Sequence, residues 1–236
     1  AAEYARGLES LARNQLRDDF AAGNNVDHWG EIWAKPLPPL PVPGGTVTGR
    51  LTDLSGRFNI NWLVDNGQAD ENRIDMFRRL LLALELNSTL ADSITDWIDR
   101  DNIPRNNGAE SSIYTEKRPA YRSPNRPMGH VSELRLISGM DEETYQRLLP
   151  HITVLPPNAN ARRLNVNTAS VETLMALDSG ITRERALRLH QDGNASFAQV
   201  QSFLQHPSME GIVLPASSKL ISVTSTHFLA HAVTIL

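Results

Sequence analysis

Sequence with the two-residue period of a β-strand occurs at two distant places in this chain, TVTGRLT from Thr46 and SKLISVTSTHFLAHAVTIL at the far end, and most of what lies between has helical periodicity. Successive strand side chains point to opposite faces, so apolar and polar residues alternate where one face lies on a core. Val47 and Leu51 alternate in this way with Thr46, Thr48, Arg50 and Thr52. With helical sequence between them, the two strand regions are able to share one sheet. The order of elements suggests an α+β fold class, with an all-helical domain inserted into an α+β domain.

The remaining elements can be placed around that frame. Leu8, Leu11, Ala12, Leu16 and Phe20 fall at spacings of three or four, the stripe of an amphipathic first helix. In EIWAKPLPPLPVPGG the crowded prolines argue against a regular ladder and for an extended, polyproline-like connector, anchored by Trp29 and Trp33. Phe58 and Ile60 alternate with Arg57 and Asn59, and Asp53-Leu54-Ser55-Gly56 has type I turn chemistry, so a β-hairpin is predicted there. Asp70 is placed to cap a helix reaching about Leu86, and helical patterns follow at 90–98, 131–137, 142–149, 171–177, 183–190 and 197–204.

Composition narrows the function classes. The formal charge of -4 lacks the basic excess of a dedicated phosphate binder. The chain has no cysteine, which excludes disulfides and thiolate metal sites. Its longest apolar run, LLLALEL from Leu80, is too short to span a bilayer. None of the familiar catalytic constellations is present, and the chain reads as a non-enzyme. His227 and His231 share one face of a strand with no carboxylate near in sequence, and they read as surface residues.

Two motifs carry specific chemistry. SGMDEETYQRL and SGITRERALRL form a weak repeat of two helix-turn-helix units, and LNVNTASVETLMALDSGITRERALRL has the outline of a helix-hairpin-helix. In a DNA-binding hairpin two turn glycines let backbone N–H groups approach phosphate. Here the second glycine is Asp141 in one unit and Thr182 in the other, so packing or protein contact is the preferred reading and a nucleic-acid-binding module the alternative. In DWIDRDNIPRNNGAE, Asp99, Asp101 and Glu110 stand as positions 1, 3 and 12 of a calcium loop, although Pro104 occupies the place of the turn glycine. The spacing admits a calcium site or solvated acids at a helix end.

Across nearly its whole length the chain resembles the minor pseudopilins of the K type from type II secretion (the GspK family). The resemblance rests on EIWAKPLPPLPVPGGTVTGRLTDLSGRFNINWLV, DWIDRDNIPRNNGAESSIY, YRSPNRPMGHVSELRLISGM and LNVNTAS. It implies a pilin-like N-terminal helix packed on an antiparallel sheet, with an inserted SAM/helix-hairpin-helix-like all-α domain. The corresponding division is 1–62 for the helix and first strands, 63–216 for the inserted domain and 217–236 for the returning strands. It further implies calcium at Asp99, Asp101 and Glu110, and a place at the pseudopilus tip with minor pseudopilins I and J rather than with nucleic acid. A periplasmic domain is implied, anchored in the inner membrane by a segment that these residues do not include. On the apolar stripe of the first helix, Tyr4, Leu8 and Leu11 are the candidate partner contacts.

Overall fold

The computed structural model describes residues 2–21, 23, 25–156, 162–214 and 220–235, with side chains from Arg6 onward. Helix α1 (Ala2–Ala21) precedes strands β1 (Leu37–Val42), β2 (Gly45–Asp53), β3 (Phe58–Asn59), β4 (Val64–Asp65) and β5 (Gln68–Ala69). Next come α2 (Glu71–Ala83), α3 (Leu90–Ile98), α4 (Ser111–Thr115), α5 (Glu142–Leu148), β6 (Ile152–Thr153) and β7 (Leu164–Asn165). Then follow α6 (Val171–Met175), α7 (Arg183–His190), α8 (Val200–Leu204), β8 (Ile221–Ser222) and β9 (Phe228–Ile235).

The two strand regions do meet in one sheet. Its order is β1-β2-β9, antiparallel throughout, and the β2–β9 ladder runs from Thr46 opposite Ile235 to Asp53 opposite Phe228. The Pro-rich tract departs from the expected connector, because it is strand β1. Leu40 pairs with Val47 and Val42 with Gly45, and the register breaks between Leu37 and Leu40 where Pro38 and Pro39 stand. An edge strand has only one side to satisfy, so residues without an N–H are tolerated there and at bulges. Gly44, at φ +87, makes the turn into β2.

The hairpin predicted at 46–60 does not form. β2 takes β1 and β9 as neighbours, and β3 pairs in parallel with β6 deep among the helices. Phe58 is fully buried, stacked on Phe77 at 5.0 Å and edge-on to Trp62 at 5.2 Å. The turn closes one residue later than expected, Arg57 N donating to Leu54 O at 3.2 Å. Alternation marks the strand but leaves its partner open, and here burying Phe58 and Ile60 in the helical core carries the chain away from the sheet.

The apolar interior lies in two separate clusters. A small one, Ala12, Trp33 and Leu51 with Trp29 and Phe228 packed on it, joins α1 to the sheet. Trp33 lies edge-on to Phe228 at 4.9 Å, so the two tryptophans do anchor the segment ahead of β1. A much larger cluster runs from Phe58 through Phe77, Leu80, Ile94, Leu148, Leu174, Leu189 and Phe203. The helices around it begin where their caps dictate: Asp70 accepts from Arg73 N, Asp141 from Thr144 N, Ser170 from Thr173 N and Thr182 from Arg185 N. No helix among the described residues is long and apolar enough to cross a membrane.

Candidate functional site

The C-terminal end of α3 assembles the acidic site. Asp92 and Asp96 lie one turn apart on this helix, and Asp99 is its C-cap. A carboxylate at a helix C-terminus faces the negative end of the helix dipole, where a cation is the favoured neighbour. Burial, reinforced by Asp101, Asp96 and Glu110, raises the Asp99 pKa to about 7. Burial likewise raises Asp96 to about 6 and lifts Glu110 above the usual carboxylate range. Asp92 behaves differently: burial works against its charge, but hydrogen bonds from Arg78 and Asn107 outweigh this and hold its pKa low.

The structure brings together all three residues that the spacing singled out. Asp99, Asp101 and Glu110 each direct a carboxylate oxygen to one place, the three atoms lying within 4.8 Å of one another. Asp99 is 4% exposed and Glu110 2%, yet Asp99 Oδ1 and Glu110 Oε1 have no hydrogen-bond partner among the described residues. Glu110 Oε2 is engaged, accepting from Ser123 Oγ at 3.0 Å and from Ser111 N at 3.3 Å, so the free oxygen is Oε1. A buried carboxylate oxygen without a donor is costly, and a hard cation satisfies it. The donor set is all oxygen with clustered negative charge, so it fits calcium.

Sequence spacing missed Asn125. It is set at φ 45 in the Ser-Pro-Asn-Arg-Pro loop, and its amide donates to Asp101 O at 2.5 Å and to Asn102 Oδ1 at 3.2 Å. Its own Oδ1 is buried without a partner, a further oxygen beside the acidic loop. Nothing local announces such a residue, which arrives from a remote loop; a Pro-flanked Asn in a left-handed conformation is the only trace. Gly108 is the glycine that the loop requires, in place of one at position 104. A Cβ there would collide with the Asp96 carboxylate beneath, whose Oδ2 also accepts from Arg105 N at 3.1 Å.

On α1, Leu8 is buried on the sheet beside Ala12, and Leu11 is 41% exposed. The side chain of Tyr4 lies outside the described residues. Phe20, 72% exposed, falls on the flank of the buried stripe opposite to Leu11. The second hairpin shows why its turn differs from a phosphate-binding one. Thr182 spends its hydroxyl on the α7 N-terminus, and Arg183 and Arg188 pair with Glu172 and Glu184. Arg185 donates to the carbonyls of Ser208 and Glu210.

Known proteins resemble this chain over most of its length. Two family models, both described as type II secretion system protein K, match residues 56–157 and 164–224. A type II secretion system protein K from Klebsiella pneumoniae is 32% identical over 240 residues, covering 96% of this chain and 73% of the relative. The chain belongs to the type II secretion protein K family. The relative from Pseudomonas aeruginosa is 39% identical over 219 residues, and the matched part is 88% of this chain and 65% of that protein. This chain thus spans just under two thirds of that relative's length. Among solved structures, a chain of the GspK-GspI-GspJ complex from enterotoxigenic Escherichia coli superposes with a TM-score of 0.85 at 25% identity, covering 99% of this chain and 85% of that one. These relatives are named as secretion-system components, and none of these matches supports the nucleic-acid alternative.

Proposed function

We propose that this protein K homologue is a minor pseudopilin that assembles with minor pseudopilins I and J at the tip of the periplasmic pseudopilus, starting or capping the filament. The observation that carries this reading is the superposition of 99% of the chain on a chain of the GspK-GspI-GspJ complex. In this reading α1 and the β1-β2-β9 sheet are the pilin-like part, and the helical body between Asp53 and Phe228 is the insertion. That body is too bulky to allow another subunit above it, which suits a terminal position. Leu11 and Phe20, on opposite flanks of α1, give the two partners separate apolar contacts.

The acidic loop has a structural role in the same reading: calcium held by Asp99, Asp101 and Glu110, with Asn125 as an added oxygen, ties the α3 end to the 121–127 segment. The unpartnered oxygens of Asp99, Glu110 and Asn125 support it. The test of the assembly reading is light scattering on size-exclusion eluates of this chain mixed with soluble I and J domains. A one-to-one-to-one mass is expected, and three separate monomers would reject a complex formed by these domains.

A further inference from the structure

The LNVNTAS block stands apart from both the acidic loop and the α1 surface. Leu164, Val166 and Ala169 of this block belong to the core of the helical body, while Asn165 and Thr168 face the junction between the body and the sheet. Asn165 Nδ2 donates to Asp27 O at 2.9 Å and to Ser225 Oγ at 2.7 Å, while Asn165 N donates to Ser55 O at 2.8 Å. Ser225 N donates to Asp27 Oδ2 at 2.7 Å. Three stretches of chain, those behind α1, behind β2 and ahead of β9, are therefore gathered on one motif of the body.

At the centre is Asp53, the last residue of β2, which is 2% exposed. Its Oδ1 accepts from Ser55 N at 2.7 Å, and its Oδ2 accepts from Ser225 Oγ at 2.6 Å and from the hydroxyl of Thr168. A buried carboxylate is tolerated only where donors surround it, and these donors come from both strand connections and from the body. Gly56 completes the fit, because a Cβ there would stand 2.6 Å from the Thr168 backbone. The two apolar clusters do not merge across this junction. Parts of a chain without a large shared apolar interface move relative to one another by default. A polar fastening therefore has to set the angle between these two.

We propose that Asp53 is a latch: its carboxylate fastens the end of β2 into the Asn165–Thr168 socket and holds the sheet and the helical body at one fixed angle. The latch is independent of what the protein binds. Since the chain has no cysteine, Val233→Cys on β9 and Glu143→Cys on α5 give two exposed label sites for a pulsed electron-spin distance measurement on the whole chain. The unlatched state is reached in two ways, by Asp53→Ala, which removes the acceptor, and by Gly56→Ala, which wedges the connection off Thr168 without touching the carboxylate. A narrow distance distribution is expected for the parent, broadening roughly twofold or more in each variant while the far-ultraviolet circular dichroism stays unchanged. A distribution as narrow as the parent's in either folded variant would overturn the proposal. If Asp53→Ala does not fold, Gly56→Ala alone decides.

Discussion

The sheet end and the helical body are built on different principles. The body closes around one continuous apolar cluster, with fully buried Phe58, Phe77, Leu80 and Phe203 at its centre and polar caps on its helices. The sheet end has three strands and one helix around Ala12, Trp33 and Leu51, and it leaves Leu229, Val233 and Ile235 of β9 and Leu11 and Phe20 of α1 exposed. The body also exposes apolar residues, among them Leu82, Ile103 and Val213, but Leu229, Val233 and Ile235 stand at even spacings on one face of the edge strand β9, and an apolar row of this kind points to contact with other molecules. The body contributes bulk and a charged loop, and the sheet end contributes apolar surface.

The largest expected effect breaks the body. Phe77→Ala removes a ring stacked on Phe58 in the core and should cost about 3–5 kcal/mol, visible as a single large drop in Tm by calorimetry. A change of less than ~1 kcal/mol would mean that the cluster is not one cooperative unit.

Calcium sharpens the contrast from the other side, since its effect should be confined to the body. At a hundredfold excess over Kd, ion binding adds about 2.7 kcal/mol, or roughly 5–10 °C in Tm for a protein of this size, and chelator should reverse it. Glu110→Gln should abolish the response. An equal response in that variant, or none in the parent, would remove calcium from the account.

The sheet end is expected to show the opposite behaviour. Leu11→Asp should cost only about 1 kcal/mol of stability, because the side chain is 41% exposed and only partly packed, yet weaken binding to the I and J domains at least tenfold. Unchanged binding in light scattering would place the contact elsewhere. The smallest effect is a pH dependence at the junction. Burial raises Asp27 from 3.8 to about 6 in the folded chain, so its stabilising contribution is full below the lower value and is lost as pH rises through the upper one. Asp27→Asn is blind to that loss, and its unfolding free energy relative to the parent should improve between pH 4 and pH 7 by about 1 kcal/mol after solvent screening. A flat difference would contradict the shift.

What the sequence disclosed divides along the same line. Helices α3 and α7 lie at the residues that periodicity assigns, and Asp70 caps α2, because helix signals are local. The acidic trio was legible for the same reason, since its spacing falls within one loop. Pairing is non-local and fared worse. The Leu37–Val42 strand is hidden by its prolines, and the partner of Phe58–Asn59 is found only at Ile152–Thr153. Asn125 reaches the acidic loop from a separate segment, and the gathering of Asp27 and Ser225 on Asn165, and of Asp53 on Thr168 and Ser225, spans most of the chain.

The most direct test of the central claim is amide hydrogen–deuterium exchange of this chain, alone and with the I and J domains present. Protection confined to α1 and the exposed strand β9, with the 99–125 loop and the helical body unchanged, is the expected result. Protection centred on the helical body, with α1 and β9 exchanging as freely as before, would contradict it.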